Sequence, residues 1–219
     1  MICMKRLTVL AVLIVCTISA TAQTYWDNSR PNHRFGFGVR AGANFAKQNN
    51  MDDGEDRNFR TGFHAGAELD INIIRSLSVN IGAMYIQKGF KAEYSDYRGS
   101  LKTTDNASWI EVPVLASYRV ELSDVSQFQF NVGPYFAFGL SGKQKVKSTF
   151  PGQDSYEIDC FDQYDGTKKF DTGFSIGAAI VYSNMFFGAN YERSLINISN
   201  SNDRFVNGCI AVTIGYNFK

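Results

Sequence analysis

The chain has 219 residues, with 22 Lys and Arg against 21 Asp and Glu, a formal net charge of +1. That balance gives no argument for a nucleic-acid or acidic partner, and the length suits one domain or one mid-sized barrel. Aromatics make up 14%, Gly supplies 19 residues and Pro only four, a profile of strands and interfaces rather than of a helical bundle.

The first element is MICMKRLTVLAVLIVCTISATAQ: Lys5 and Arg6, an apolar run from Leu7 to Ser19, then Ala20-Thr21-Ala22. This charged, apolar, small-residue order is that of a secretory signal peptide over 1–22, cleaved after Ala22. The apolar run falls short of the roughly 20 residues that a spanning helix needs. Cys16 does not complete a lipoprotein signal, because Val15 stands where a small residue normally precedes the lipidated cysteine. Removal of the signal leaves 20 basic and 21 acidic residues, a formal charge of −1, and leaves Cys160 and Cys209 as the cysteines. One pair in an exported chain allows a disulfide or two free thiols and is no disulfide framework.

Residues 23–33 read as a periplasmic N-terminal tail and 34–219 as the folded domain. It opens with RFGFGVRAGANFA (34–46), in which Phe35, Phe37, Val39, Ala41, Ala43 and Phe45 alternate with Gly36, Gly38, Arg40, Gly42 and Asn44. Successive strand side chains point to opposite faces, so one face is oily and the other small or polar. The same two-faced pattern predicts strands at 34–46, 60–72, 76–90, 107–121, 127–140, 171–183, 185–195 and 205–218. Long connections (47–59, 91–106, 141–170, 196–204) alternate with short ones (73–75, 122–126 and around Asn184). Such a meander, with short turns at one end, has the form of an outer-membrane barrel.

The faces decide where the hydrocarbon lies. On the fifth predicted strand Phe128, Phe130, Val132, Pro134, Phe136, Phe138 and Leu140 oppose Gln127, Gln129, Asn131, Gly133, Tyr135, Ala137 and Gly139. Eight strands enclose a bore only wide enough for side chains to fill, and the bulky set would overpack it. The small and polar set fits inside, and the apolar set then meets lipid. No charge lies on the apolar face across the middle of the strands, where Arg or Lys would cost about 2–4 kcal/mol. Aromatics sort into two levels: Phe35, Tyr118, Phe128, Tyr182, Phe187 and Tyr216 near the short turns, and Phe45, Phe63, Trp109, Phe138, Phe174 and Tyr191 near the long loops. Two girdles are expected of a transmembrane barrel. The expected fold is therefore all-β, an eight-stranded antiparallel up-and-down transmembrane β-barrel. It would be exported to a bacterial outer membrane with both termini periplasmic.

Ionised groups on the inner face must pair or be hydrated. Arg40, Glu68, Asp70, Lys88, Glu111, Arg119, Glu121 and Glu192 form the candidate lumen charge network, with Lys88–Glu111 and Arg40–Glu68 as cross-strand pairs that block the bore. The rival use of such charges is an ion path. His64 faces the lumen near the long-loop rim, with no nucleophile or carboxylate at a spacing that would make it a general base. MDDGEDRN (51–58) lacks the calcium-hand spacing and reads as a solvated loop tip. The 30-residue stretch 141–170 is the first place to look for outward binding, since loops of that size are often functional.

The strand texts resemble the PorT-like family of small outer-membrane β-barrels abundant in the Bacteroidetes: GVRAGANFAK (38–47), GFHAGAELDINIIRSLSVNIGAMYIQKGFK (62–91), WIEVPVLASYRV (109–120) with its Glu-Val-Pro, NVGPYFAFGLSGK, FDTGFSIGAAIVYSNMFFGANYERSLINIS and the closing IGYNF. The resemblance covers 35–219 and implies the barrel fold; the family's named member takes part in secretion of surface proteases. One departure is Lys219 after Phe218, where barrel-assembly signals usually end on an aromatic residue. The expected function is a structural or interaction role as an envelope or protein-secretion component, without catalysis, cofactor or metal. Its expected partners are outer-membrane lipid, the barrel-assembly machinery during biogenesis, and envelope proteins, with no nucleic acid. A narrow channel for small solutes and an outer-membrane lipid- or peptide-modifying enzyme are the alternative classes.

Overall fold

Backbone pairing on both sides of every spanning strand is what hydrocarbon demands, since lipid offers no hydrogen bonds to an open edge. The computed structural model meets that demand with a closed ring. It describes residues 26–50, 58–150, 152, 154–162, 166–200 and 205–218; the expected signal peptide and, apart from Asn58, the acidic run 51–58 lie outside the described residues. The strands are β1 (Phe35–Asn50), β2 (Asn58–Ile74), β3 (Leu77–Lys88), β4 (Phe90–Asp96), β5 (Gly99–Ser123), β6 (Ser126–Ser148), β7 (Tyr156–Asp159), β8 (Phe170–Tyr182), β9 (Met185–Ser194) and β10 (Phe205–Phe218). Antiparallel ladders run β1–β2–β3–β5–β6–β8–β9–β10 and back to β1, an eight-membered ring. β4 continues β3 past Gly89 and pairs with β5 and β2, while β7 lies against the far end of β6.

Turns of two residues at 75–76, 124–125 and 183–184 join strands at one end. Ser183 takes a left-handed φ of 55° to close the last of them. The chain before β1 is held at this end: Trp26 stacks on Tyr118 with centroids 5.7 Å apart, and the Asp27 carbonyl accepts from both the Ser76 amide and its hydroxyl.

The apolar face looks outward. Phe63, Phe130, Phe138, Ile176 and Val212 are each about half exposed, whereas Asn44, Ser117, Tyr135 and Asp171 on the opposite face have no exposed surface. Two expectations are corrected. Trp109 is not in an outer girdle: it is 1% exposed and points into the bore. It shares its face with Glu111 and packs in a buried cluster with Ile86, Ala107, Ala137 and Phe161. The stretches 91–106 and 141–148 are not loops. β4 and β5 form a hairpin turning at 97–98, and β5 and β6 stay paired out to Leu101 and Ser148. These strands have 25 and 23 residues, against the 9–11 or so that cross a bilayer, so their outer parts stand clear of hydrocarbon. Backbone pairing continues there after the apolar face gives way to Lys91, Lys102, Lys143, Lys145 and Lys147.

Candidate functional site

The inner faces of the ring converge on a filled bore. Nearest the short turns, Arg119 Nη1 donates to Asn72 Oδ1 at 2.6 Å and its Nη2 lies 3.1 Å from Asp70 Oδ2. Beside them Ser117, Gln129 and Asn131 bond to one another across β5 and β6. One step outward, Arg40 Nη2 donates to Glu68 Oε1 at 2.9 Å, and Asn80 Nδ2 donates to the same oxygen at 3.1 Å. Arg40 also lies over the Phe186 ring at 4.1 Å. Gly38 and Gly215 make that placement feasible, because a Cβ at either position would run into the Arg40 side chain.

A second charged level lies further out. Lys88 Nζ donates to Glu111 Oε2 at 2.5 Å and to Glu192 Oε2 at 3.0 Å, and it sits 4.5 Å above the centre of the Tyr135 ring. Asn190 Nδ2 supplies Glu192 Oε1 with a further donor at 2.9 Å. The Tyr135 hydroxyl and Asn207 Nδ2 both donate to Asp171 Oδ2, at 3.3 and 2.9 Å. A cavity of about 80 Å³, whose lining includes Arg40, Glu68, Glu111 and Glu192, separates the two levels. His64, on the same cavity, has its Nε2 3.0 Å from Thr213 Oγ1.

Above the second level the bore is capped by apolar groups. Trp109 and Phe161 meet edge to face with centroids 5.3 Å apart, inside a buried cluster with Ile86, Ala107, Ala137, Cys160 and Cys209. Phe161 and Cys160 come from the segment after β7, so part of 141–170 turns back into the barrel mouth. The Phe161 ring occupies the space where a side chain at Gly139 would stand. Both cysteines are free and buried.

Of the residues singled out by the alternation, Arg40, Glu68, Asp70, Lys88, Glu111, Arg119 and Glu192 all take part in lumen ion pairs. Glu121 does not. It sits at the short-turn end with its side chain half exposed and pairs with Arg75 at 2.7 Å. Asp171, Tyr135 and Asn190 are added by the structure. The alternation along β8 points to Asp171 as inward, since it shares a buried face with Ser175 and Ala179.

The family described as outer membrane protein beta-barrel domain matches residues 21–200. The chain belongs to that family. Membership carries a location in the bacterial outer membrane. No curated protein matches the sequence. Similar solved structures include Ail, the attachment invasion locus protein of Yersinia pestis, at 15% identity over 85% of this chain and 100% of that one, with a TM-score of 0.40. Neisserial surface protein A follows at 13% identity, 83% and 97% coverage and a TM-score of 0.40. OprG of Pseudomonas aeruginosa gives 9% identity, 88% and 99% coverage and a TM-score of 0.45.

Proposed function

We propose that this family member is a closed, non-catalytic barrel whose work is done by what it presents outside the membrane, as an envelope component of structural or interaction type. The single observation that carries the reading is the blocked bore: two ion-paired levels in series, each held by contacts across the lumen, under an apolar lid. A conducting pore would need a continuous hydrated path with charge left free to meet ions. Here Lys88, Glu111 and Glu192 are each under 5% exposed and bonded to one another. The paired β4, β5, β6 and β7 then form a sheet that projects past the spanning region and offers polar and aromatic side chains, among them Tyr94 and Tyr97.

In this reading the short turns and both termini lie in the periplasm, as short turns do in barrels of this kind. The PorT-like strand texts make a protein-secretion assembly the finer form of the proposal. Planar-bilayer recording of the purified chain tests it: no stable conductance steps are expected, and regular steps would replace the closed barrel with the small-solute channel. Crosslinking in intact outer membranes is expected to capture envelope proteins through the projecting sheet.

A further inference from the structure

We propose that the outward face of the projecting β5–β6–β7 sheet binds the anionic saccharide headgroup of an outer-leaflet glycolipid, in a groove floored by β5 and β6. A single bulge prepares this face. β5 pairs with β3 in unbroken register, but on its other side Trp109 pairs with Gly139 and Ser108 with Ser141, so Leu140 is an extra residue on β6. Below the bulge the even residues of β6, such as Phe138, face lipid. Strict alternation would send Lys143, Lys145 and Lys147 into the barrel mouth. The extra residue turns all three outward instead, into the column above Phe138, as bulges do where a strand re-aims its side chains.

A groove of about 590 Å³ has Arg60, Lys143, Lys145, Asn106, Ser108 and Ser141 in its lining, with Glu157 and Asp159 contributed by β7. Three cations therefore face two acids. Arg60 Nη1 is buried and has no hydrogen-bond partner among the described residues. Lys143 and Lys145 bond to Glu157 at 2.6 and 3.2 Å, yet their side chains are 70% and 60% exposed. An ammonium has three donors, so each lysine keeps some for a ligand. Asp159 Oδ1 is taken by the Phe161 amide at 2.7 Å. Further out Lys102 and Lys147 stand directly opposite each other, a like-charge pair that costs a sheet stability. Glu93 meets Lys102 at 2.8 Å, while Lys147 forms no ion pair among the described residues.

Cations beside hydroxyls and an amide suit a sugar that carries a phosphate or carboxylate. Hydroxyl and amide groups both donate to and accept from sugar hydroxyls, and charge-assisted bonds hold the anion. The lining includes one large apolar side chain, Ile158, and no aromatic ring, so it lacks the anchors that hold protein partners. Depth decides for a lipid. Ser108 lies two residues outward of lipid-facing Ile110 on the same face, and Thr104 and Lys145 lie four residues further, about 13 Å along the strands. A headgroup bound here stands above acyl chains already packed on the barrel. Tyr94, which pairs with Leu101 on the opposite face of the sheet, stays free for proteins. The groove rests on this end of the barrel standing outside the cell and not on closure of the bore, so a conducting barrel would keep it.

The test uses the full purified chain in phosphatidylcholine nanodiscs, followed by native mass spectrometry. The discs present lipid on both faces, so the groove is read whichever way the barrel lies in the cell. Diphosphoryl lipid A and glucuronosyl diacylglycerol report phosphate and carboxylate on a sugar; galactosyl diacylglycerol has the sugar without charge, and phosphatidic acid the charge without sugar. At least one anionic sugar lipid is expected to be retained, about tenfold over both controls, the loss of one charge-assisted hydrogen bond. R60Q/K145Q is expected to remove that preference, and N106A/S141A to lower retention of the anionic sugar lipid while leaving phosphatidic acid unchanged. The heat-shifted gel band of the folded barrel checks each variant, with K145Q alone as the replacement should R60Q/K145Q not fold. Retention no better than galactosyl diacylglycerol, retention equal to phosphatidic acid, or no change in the charge variant overturns the proposal.

Discussion

The two charged levels of the lumen solve one problem in different ways. Near the short turns each arginine meets one carboxylate, and side-chain amides of Asn72 and Asn80 share the bonding. The Asp70, Glu68 and Arg119 side chains there retain 12–15% exposure. Further out a single ammonium faces two carboxylates, and all three side chains are 5% exposed or less. The first arrangement is redundant and partly open to solvent. The second is a keystone, because among the described residues Lys88 alone forms ion pairs with Glu111 and Glu192.

The sharpest way to break this contrast is to remove the keystone. K88M leaves two buried carboxylates facing each other and is expected to destabilise the barrel by about 3–5 kcal/mol, the cost of orphaning a buried ion. R40M leaves Glu68 its Asn80 donor and part of its exposure, and is expected to cost about 1–3 kcal/mol. Urea unfolding in lipid vesicles, followed by tryptophan fluorescence, compares the two. The triple variant K88M/E111M/E192M is expected to return close to wild-type stability, because an apolar replacement of a whole buried cluster is often neutral. Equal losses in K88M and R40M would show the two levels to be energetically alike.

The same contrast marks what the amino-acid pattern could deliver. Period-two alternation is local, so it gave each inward residue its face and led to Lys88–Glu111 and Arg40–Glu68, which sit on adjacent strands. Glu192 joins Lys88 from the far side of the ring, a contact that exists only because the barrel closes. Trp109 was legible in principle, since it shares parity with Glu111, but its size suggested a girdle; the Phe161 ring, which takes the space over Gly139, meets it edge to face inside the bore. Glu121 has inward parity yet lies beyond the last enclosed level, where Arg75 in the turn takes it. The outer parts of β4, β5 and β6 carry no apolar face, so an argument from greasy alternation ends where the lipid ends. Phe161 reaches the bore from a segment with no periodicity at all.

That last contact gives a second test, now of the lid against the charged level beneath it. Cys160 and Cys209 are 2% and 1% exposed, and burial pushes the Cys160 thiol well above its ordinary pKa. Both therefore react slowly with a bulky, membrane-impermeant maleimide, because the thiolate is the nucleophile. F161A removes the edge-to-face partner of Trp109, worth about 0.5–1.5 kcal/mol beyond its area. It is expected to raise labelling of Cys160 strongly and of Cys209 less, with conductance still absent because the Lys88 level stays shut. Conductance in F161A would assign closure to the lid alone; unchanged labelling would show that Phe161 seals nothing.

The smallest effect is expected outside the membrane, where ion pairs are exposed and water screens them. Glu157 on β7 accepts from Lys143 at 2.6 Å and Lys145 at 3.2 Å on β6. These bonds hold its carboxyl below the usual glutamate range. A carboxyl depressed by folding contributes stability above its unfolded pKa of about 4.3 and loses it as pH falls through the lower folded value. Docking of β7 should then be constant from neutral pH down to about pH 5 and weaken in more acidic solution, while the ring beneath is untouched. Amide hydrogen exchange over 156–159, corrected for the intrinsic rate at each pH, reads this directly. E157Q should exchange at the acid-state protection whatever the pH, and high salt should mimic part of that change. If wild type and E157Q differ at low pH as much as at neutral pH, the β7 contact rests on its backbone ladder and not on the lysine pair.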